Sequence, residues 1–321
     1  FGEKQEMNKN ERNAKRLTKE AKQLLLLIGG VVVLVAVVIG ITVAVFYSKN
    51  PKDPTADSSD PMDSSLVVSS GLTVEENDYD PEKNVLEVDK YVGTILPATE
   101  DAGKKYVDET LFIGDSNTYR YMTYAHTTLK NTIGIPGMGL QSVLTEPCVK
   151  FKGYSDRVTI PEAVKIMQPK RIIIGFGTNN ANGDWSPEYM AEQYAKVLDG
   201  IEAGWPYADI IISAIPPVAR VRDGYQNISM TSIDAYNQAL AKLAEERGCK
   251  FLNTSEVLKD PETGFALDGY TISDGIHLAK PAVDALFGYI RTHAYETEDR
   301  RPTPLKPVPA RDEPEPYNIL I

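Results

Sequence analysis

Two five-residue stretches, 171–175 (RIIIG) and 209–213 (DIIIS), each carry three isoleucines in a row. Side chains along a strand point alternately to opposite faces, so a strand with one wet face alternates apolar and polar residues. An uninterrupted isoleucine triplet leaves no wet face. It suits a strand covered on both sides, as in a parallel sheet flanked by helices. Three further short runs, 110–113, 131–134 and 250–253, fit the same sheet. The intervals between the runs carry helical signals. Ser186 as N-cap and Pro187 in the first turn open a helix over 187–202, with Met190, Tyr194, Val197, Leu198 and Ile201 on one face. Ser232 as cap and Gly248 just past the end bound a helix over 233–247, with Tyr236, Leu240 and Leu243 inward. A last helix over 282–294 buries Val283, Leu286, Phe287 and Ile290. Such alternation predicts an α/β domain with a mainly parallel five-stranded sheet between helices.

That domain takes about residues 91–296 of the 321. Ahead of it, residues 24–47 run for 24 positions without a charge. As a helix this run is about 36 Å long at ~1.5 Å per residue, enough to cross a ~30 Å hydrocarbon core, and we read it as one transmembrane helix. A cleaved signal peptide would have a shorter apolar region and a small-x-small site, which does not follow Tyr47. Residues 1–23 hold seven Lys/Arg against four Glu, whereas 48–90 hold four Lys against eleven Asp/Glu. The positive-inside tendency places the basic segment 1–23 in the cytoplasm and everything after Tyr47 outside. Residues 48–90 read as a flexible acidic stalk rich in Ser and Pro, and 297–321 as an extended Pro-rich tail. A net charge of −11 argues against a nucleic-acid partner, which needs clustered Lys and Arg. The two cysteines, Cys148 and Cys249, sit at no metal-ligand spacing; one disulfide and two buried thiols are both open.

In open α/β sheets ligands sit outside the carboxyl ends of the strands. The first strand is followed by Gly-Asp-Ser116-Asn117, the second by IPGMG with Gly137 and Gly139, and the third by FGTNNANG with Asn179 and Asn180. The fifth, after an excursion, is followed by SDGIHL with Asp274 and His277. A serine hydroxyl is a poor nucleophile until a neighbouring base takes its proton, a task His277 fits. Asp274, three residues earlier, can bond the other ring nitrogen and hold the tautomer. The remaining histidines, His126 on a surface helix after Ser116 and His293 near the end of the last helix, lack an Asp three residues upstream and read as structural.

The motifs GDSN at 114–117, a glycine near 137, GTNN at 177–180 and DGIH at 274–277 resemble, in this order, those of the SGNH hydrolases, also called GDSL esterases and lipases. The resemblance spans the whole predicted domain. It implies a three-layer α/β/α fold of flavodoxin-like type and a serine-hydrolase mechanism that needs no metal or organic cofactor. By the same resemblance the oxyanion donors are the backbone N–H of Ser116, the backbone N–H of Gly137 and the side-chain amide of Asn179, with Gly139 as the alternative glycine. Two positions depart from the pattern. Asn180 stands where the family usually has Asp, which implies an altered loop bond, and Asn117 replaces a leucine. No Gly-x-Ser-x-Gly elbow surrounds a candidate nucleophile, which argues against the α/β-hydrolase fold.

The expectation is therefore a membrane-tethered, extracytoplasmic serine esterase working through an acyl-enzyme on Ser116. Its substrates would be acylated small molecules, glycans or lipids of the cell envelope, O-acetylated glycans foremost. An O-acyltransferase would use the same triad, and a glycan-binding module would keep the fold without turnover. Trp185, Arg220, Arg222 and Tyr225 fall in loops near the same edge, either shaping an acceptor site or serving as an ordinary buried Trp and solvated arginines.

Overall fold

The computed structural model describes residues 79–313 apart from residue 84 and residues 223–227. The basic segment 1–23, the apolar run 24–47, the linker up to residue 78 and the last eight residues of the tail lie outside the described residues. Among the described residues no helix is long and apolar enough to cross a membrane.

The five expected strands form: β1 (Thr110–Gly114), β2 (Thr132–Gly134), β3 (Arg171–Gly175), β4 (Asp209–Ser213) and β5 (Lys250–Leu252). All pairings are parallel and the spatial order is β2-β1-β3-β4-β5. The helices are α1 (Gly103–Asp108), α2 (Ser116–Thr123), α3 (Ile160–Met167), α4 (Pro187–Gly204), α5 (Met230–Arg247), α6 (Ser255–Leu258) and α7 (Lys280–Thr292). The isoleucine triplets divide by parity. Ile172, Ile174, Ile210 and Ile212 join one core cluster with α3, α4 and α5, while Ile173 and Ile211 join the other with α1, α2 and α7. Both faces of the central strands are thus dry, as the uninterrupted triplets require.

Several boundaries differ from the sequence expectation. The helix expected from Ser232 begins at Met230 and is capped by Ser229, whose hydroxyl accepts the Ser232 N–H at 3.1 Å. Met230 is fully buried, so the earlier start gains apolar contact that the later cap forgoes. The last helix starts two residues before 282 and stops at Thr292. Helices α1 and α3, with six and eight residues, are too short to show an amphipathic period. A capping box still marks the start of α3, where the Thr159 N–H donates to Glu162 at 2.8 Å. Cys148 and Cys249 are buried free thiols, and burial pushes each up to about 11.

Both flanks lie closer to the domain than their composition suggested. Within the segment assigned to the stalk, Tyr79 sits edge-on to Phe265 at 5.2 Å and its hydroxyl donates to Asp234 at 2.6 Å. The described tail crosses beneath the amino ends of the strands. Arg300 pairs with Asp209 at the start of β4 at 2.9 Å, and Gln168, just before β3, exchanges hydrogen bonds with both the N–H and C=O of Lys306 at 3.0 and 2.9 Å. Arg311 then donates to the Thr132 carbonyl at 3.1 Å, at the start of β2.

Candidate active site

Strand β1 passes into α2 without a loop. Asp115 is the N-cap, extended at φ −88°, ψ −153°, and its carboxylate accepts the Asn117 N–H at 2.9 Å. Ser116 is therefore the first residue of a helix, at the carboxyl edge of the sheet, beside amide N–H groups that have no partner within the helix. The chain runs from β1 outward to β2 and then back across to β3, so the order reverses at this place, where α/β sheets take ligands.

Ser116 and His277, 161 residues apart in sequence, meet here: Oγ lies 2.8 Å from Nε2. On the other side of the ring, Nδ1 lies 2.6 Å from Asp274 Oδ2. The second carboxylate oxygen of Asp274 accepts the backbone N–H groups of Ile276 and His277 at 2.8 and 2.9 Å. Those bonds wind residues 274–277 into one turn and aim the carboxylate at its own imidazole. Partial burial raises the Asp274 carboxyl, but the two N–H groups and the His277 ring outweigh it and hold it below the ordinary carboxylate value. An ionised Asp274 takes the Nδ1 proton as its hydrogen-bond partner, which leaves Nε2 as an acceptor facing the serine hydroxyl.

A clasp that sequence reading passed over fixes this register. Leu278, next to His277, has both backbone groups held from α2: its N–H donates to Asn117 Oδ1 at 2.9 Å and its C=O accepts from Arg120 Nε at 2.5 Å. Asn117 thus does more than replace a family leucine. The i, i+3 spacing of Asn117 and Arg120 on a helix is the signal that could have revealed it.

The loops after β2 and β3, the two neighbours of β1, leave the sheet at the same edge as Ser116 and meet through the Asn179–Met138 bond. Gly137 is exposed and has φ +77°, a left-handed conformation that favours glycine, whereas Gly139 is buried at φ −96°. The N–H groups of Ser116 and Gly137 have no hydrogen-bond partner among the described residues. Asn179 is exposed and its amide donates to the Met138 carbonyl at 3.1 Å, leaving its second N–H for a ligand. Beneath them Asp115 is 1% exposed; burial pushes its carboxyl up to about 6, against the pull of the Asn117 N–H, Thr178 and His277. The arrangement offers a general base on a hydroxyl and, at the same edge of the sheet, backbone and amide donors that suit a developing oxyanion.

The other residues singled out in the sequence make contacts of their own. Trp185 packs edge-on against Tyr189 at 5.1 Å, and its carbonyl accepts from Tyr236 at 2.8 Å. Arg220 lies over the Phe265 ring at 5.5 Å. Tyr225 and the side chain of Arg222 are outside the description. His126 lies just past the end of α2, bonds Asp284 at 2.7 Å and stacks on Phe287 at 4.5 Å, while His293 stacks on Tyr289 at 3.7 Å. Among the described residues no group of three or more His, Cys, Asp or Glu could hold a metal ion.

Comparison with solved structures finds a GDSL-like lipase from Bacteroides thetaiotaomicron, 16% identical, covering 66% of this chain and 95% of that one at TM-score 0.42. A lipase/acylhydrolase from Enterococcus faecalis is 17% identical over 57% of this chain and 93% of its own, at TM-score 0.39. A carbohydrate acetylesterase from Sinorhizobium meliloti is 15% identical over 57% and 95%, at TM-score 0.39. Comparison with curated proteins returns no match. The sequence model of the GDSL-like lipase/acylhydrolase family matches residues 112–280, from the middle of β1 to the start of α7 and across every motif that converges on Ser116. The chain belongs to that family and is an SGNH-type esterase.

Proposed function

We propose that the enzyme removes short acyl groups, acetyl foremost, from esters of cell-envelope glycans or lipids through an acyl-enzyme on Ser116. We further propose that it works outside the cytoplasm, tethered by residues 24–47. The observation that carries the chemistry is the unbroken relay Asp274–His277–Ser116, at 2.6 and 2.8 Å. Ser116 Oγ attacks the ester carbonyl carbon as its proton passes to His277 Nε2, and Asp274 stabilises the imidazolium. The carbonyl oxygen gains charge and is met by the N–H groups of Ser116 and Gly137 and by the Asn179 amide. Losing one such donor typically costs about 3–4 kcal/mol of transition-state stabilisation. Collapse expels the alcohol, which takes the proton from Nε2. Water then attacks the acyl carbon and gives its proton to the same nitrogen; collapse breaks the bond to Ser116 Oγ, which takes that proton back from Nε2, and the carboxylic acid is freed.

Short acyl groups on a polymer are favoured by exposure. The Asp274 and His277 side chains keep 32% and 33% of their surface accessible, which suits an ester carried on a large glycan better than a chain that needs an apolar tunnel. The test is acid release from acetylated wall glycan and from a chromogenic acetate, together with a series of longer esters. Turnover that falls with chain length and drops at least ~10³-fold in Ser116→Ala supports the reading. A wild-type protein inert on all of them overturns it, and acyl transfer to added glycan in place of acid release makes it a transferase. The tether is checked by fractionation and by protease added to intact cells, which should digest the domain and spare residues 1–23.

A further inference from the structure

The loop that carries Gly137 is gripped by two successive residues from β3's side of the site. Asn179 holds the Met138 carbonyl. Asn180, 4% exposed, uses both ends of its amide: Oδ1 accepts the Leu140 N–H at 3.1 Å and Nδ2 donates to Gln141 Oε1 at 3.1 Å. The Gln141 carboxamide lies back over Gly139, where a Cβ would come within 2.5 Å of Oε1. The two glycines therefore have separate tasks. Gly137 provides an exposed left-handed turn, and Gly139 makes room for the side chain that closes the loop.

We propose that Asn180 and Gln141 form an amide clamp that positions the Gly137 N–H. Asn180 is on this account a positioning residue, and the inference rests on the proposed acyl-enzyme on Ser116, whose oxyanion Gly137 helps to hold. The hydrogen-bond logic is specific. A carboxylate only accepts, whereas a carboxamide both donates and accepts and can turn over to present either end. Asn180→Asp still accepts from Leu140, and Gln141 can rotate to donate to it. Gln141→Glu still accepts from Asn180. With both changes two carboxylates face each other, nothing donates between them, and the clamp opens unless they share a proton.

The experiment is a double-mutant cycle on a soluble acetate ester, with active sites counted by a covalent serine titrant so that kcat refers to folded enzyme. Asn180→Asp and Gln141→Glu should each stay within about threefold of wild-type kcat. The double variant should lose about tenfold more than their product at nearly unchanged KM, because the lost contact acts on the transition state. Its activity relative to wild type should recover as the pH is lowered and the pair takes up a proton, a response that loosened packing alone would not give. A double variant equal to the product of the singles overturns the clamp. Should it fail to fold, Asn180→Ala against Asn180→Asp decides: the clamp requires Ala to lose about tenfold in kcat where Asp does not, and equal losses overturn it. If Ser116→Ala is as active as wild type, the underlying reading fails instead, whatever the cycle gives.

Discussion

At the carboxyl edge of the sheet the chain leaves polar groups facing outward: a hydroxyl, an imidazole, an amide and two backbone N–H groups without partners among the described residues. At the amino edge the corresponding groups are covered. The tail reaches the start of β4 through Arg300 and Thr297, Gln168 ahead of β3 through Lys306, and the start of β2 through Arg311. Arg311 is itself sunk against Phe151 and pairs with Glu313, which also accepts the Lys150 N–H at 2.8 Å. Both edges end the same five strands, so the strands do not decide which one reacts. What differs is whether the next segment satisfies the edge or leaves it open to a ligand.

The contrast makes a sharp demand on mutants. Ser116→Ala removes the proposed nucleophile from the open edge and should cost about 10⁶-fold in kcat while leaving the thermal midpoint nearly unchanged. A loss of stability as large as the loss of activity would blur the distinction, and a retained kcat would erase it.

The two edges were unequally legible in the sequence. The open edge could be read because its chemistry restricts residue type: Ser116, Asp274 and His277 have few substitutes, and each falls after an expected strand. The isoleucine triplets announced β3 and β4 by the same kind of restriction, since only two dry faces permit them. The covered edge could not be read, because its bonds join the tail to backbone carbonyls, to Gln168 and to Asp209, partners that many polar residues could serve, and the proline content of 297–321 resembles that of an unpacked tail. The Asn117–Leu278 bond was hidden for a related reason. It joins a side chain to a main-chain group 161 residues away, and only the i, i+3 spacing of Asn117 and Arg120 at one end hints at it, because a backbone acceptor and donor at Leu278 leave no mark in the sequence. Tyr79 was hidden by the acidic stretch around it, although its partner Asp234 is buried on α5.

A third set of contacts, behind the open edge, tests whether support and chemistry are separable. Lys259 opens the excursion that returns to Asp274, and its ammonium meets the buried Asp234 at 2.6 Å, where Tyr79 also donates. Burial raises the Asp234 carboxyl, and Lys259 chiefly opposes that rise. Lys259→Met leaves the carboxylate without its counter-ion and should cost about 3–5 kcal/mol of stability. Because the excursion carries the relay, kcat per folded molecule should fall too. Arg311→Met, at the covered edge, should cost about 2–3 kcal/mol through the lost Thr132 and Glu313 bonds, with kcat per folded molecule unchanged. Urea titration gives the stabilities, as midpoint shifts at constant slope, and ester turnover gives the rest. If Arg311→Met lowered kcat as much as Lys259→Met, the edges would be coupled and the contrast would not hold.

The smallest effect separates stability from reactivity within one residue. Asp115 is buried beneath Ser116 with its carboxyl raised from 3.8 to about 6. A raised acid binds more protons in the folded state than in the unfolded state between those values, so its contribution to stability is present below 3.8 and is lost as the pH rises through about 6. At pH 7 the buried charge therefore works against folding, by at most about 3 kcal/mol. Asn at this position keeps an acceptor for the Asn117 N–H and removes the charge. Asp115→Asn should raise the thermal midpoint by a few degrees at pH 7, and the gain should shrink toward pH 4, where the native aspartate is itself protonated. The same carboxylate interacts with His277, and a negative charge there favours the imidazolium formed during attack. The stabilised variant should therefore turn over several-fold more slowly. A variant both more stable and equally fast would mean that the charge under the open edge serves neither purpose.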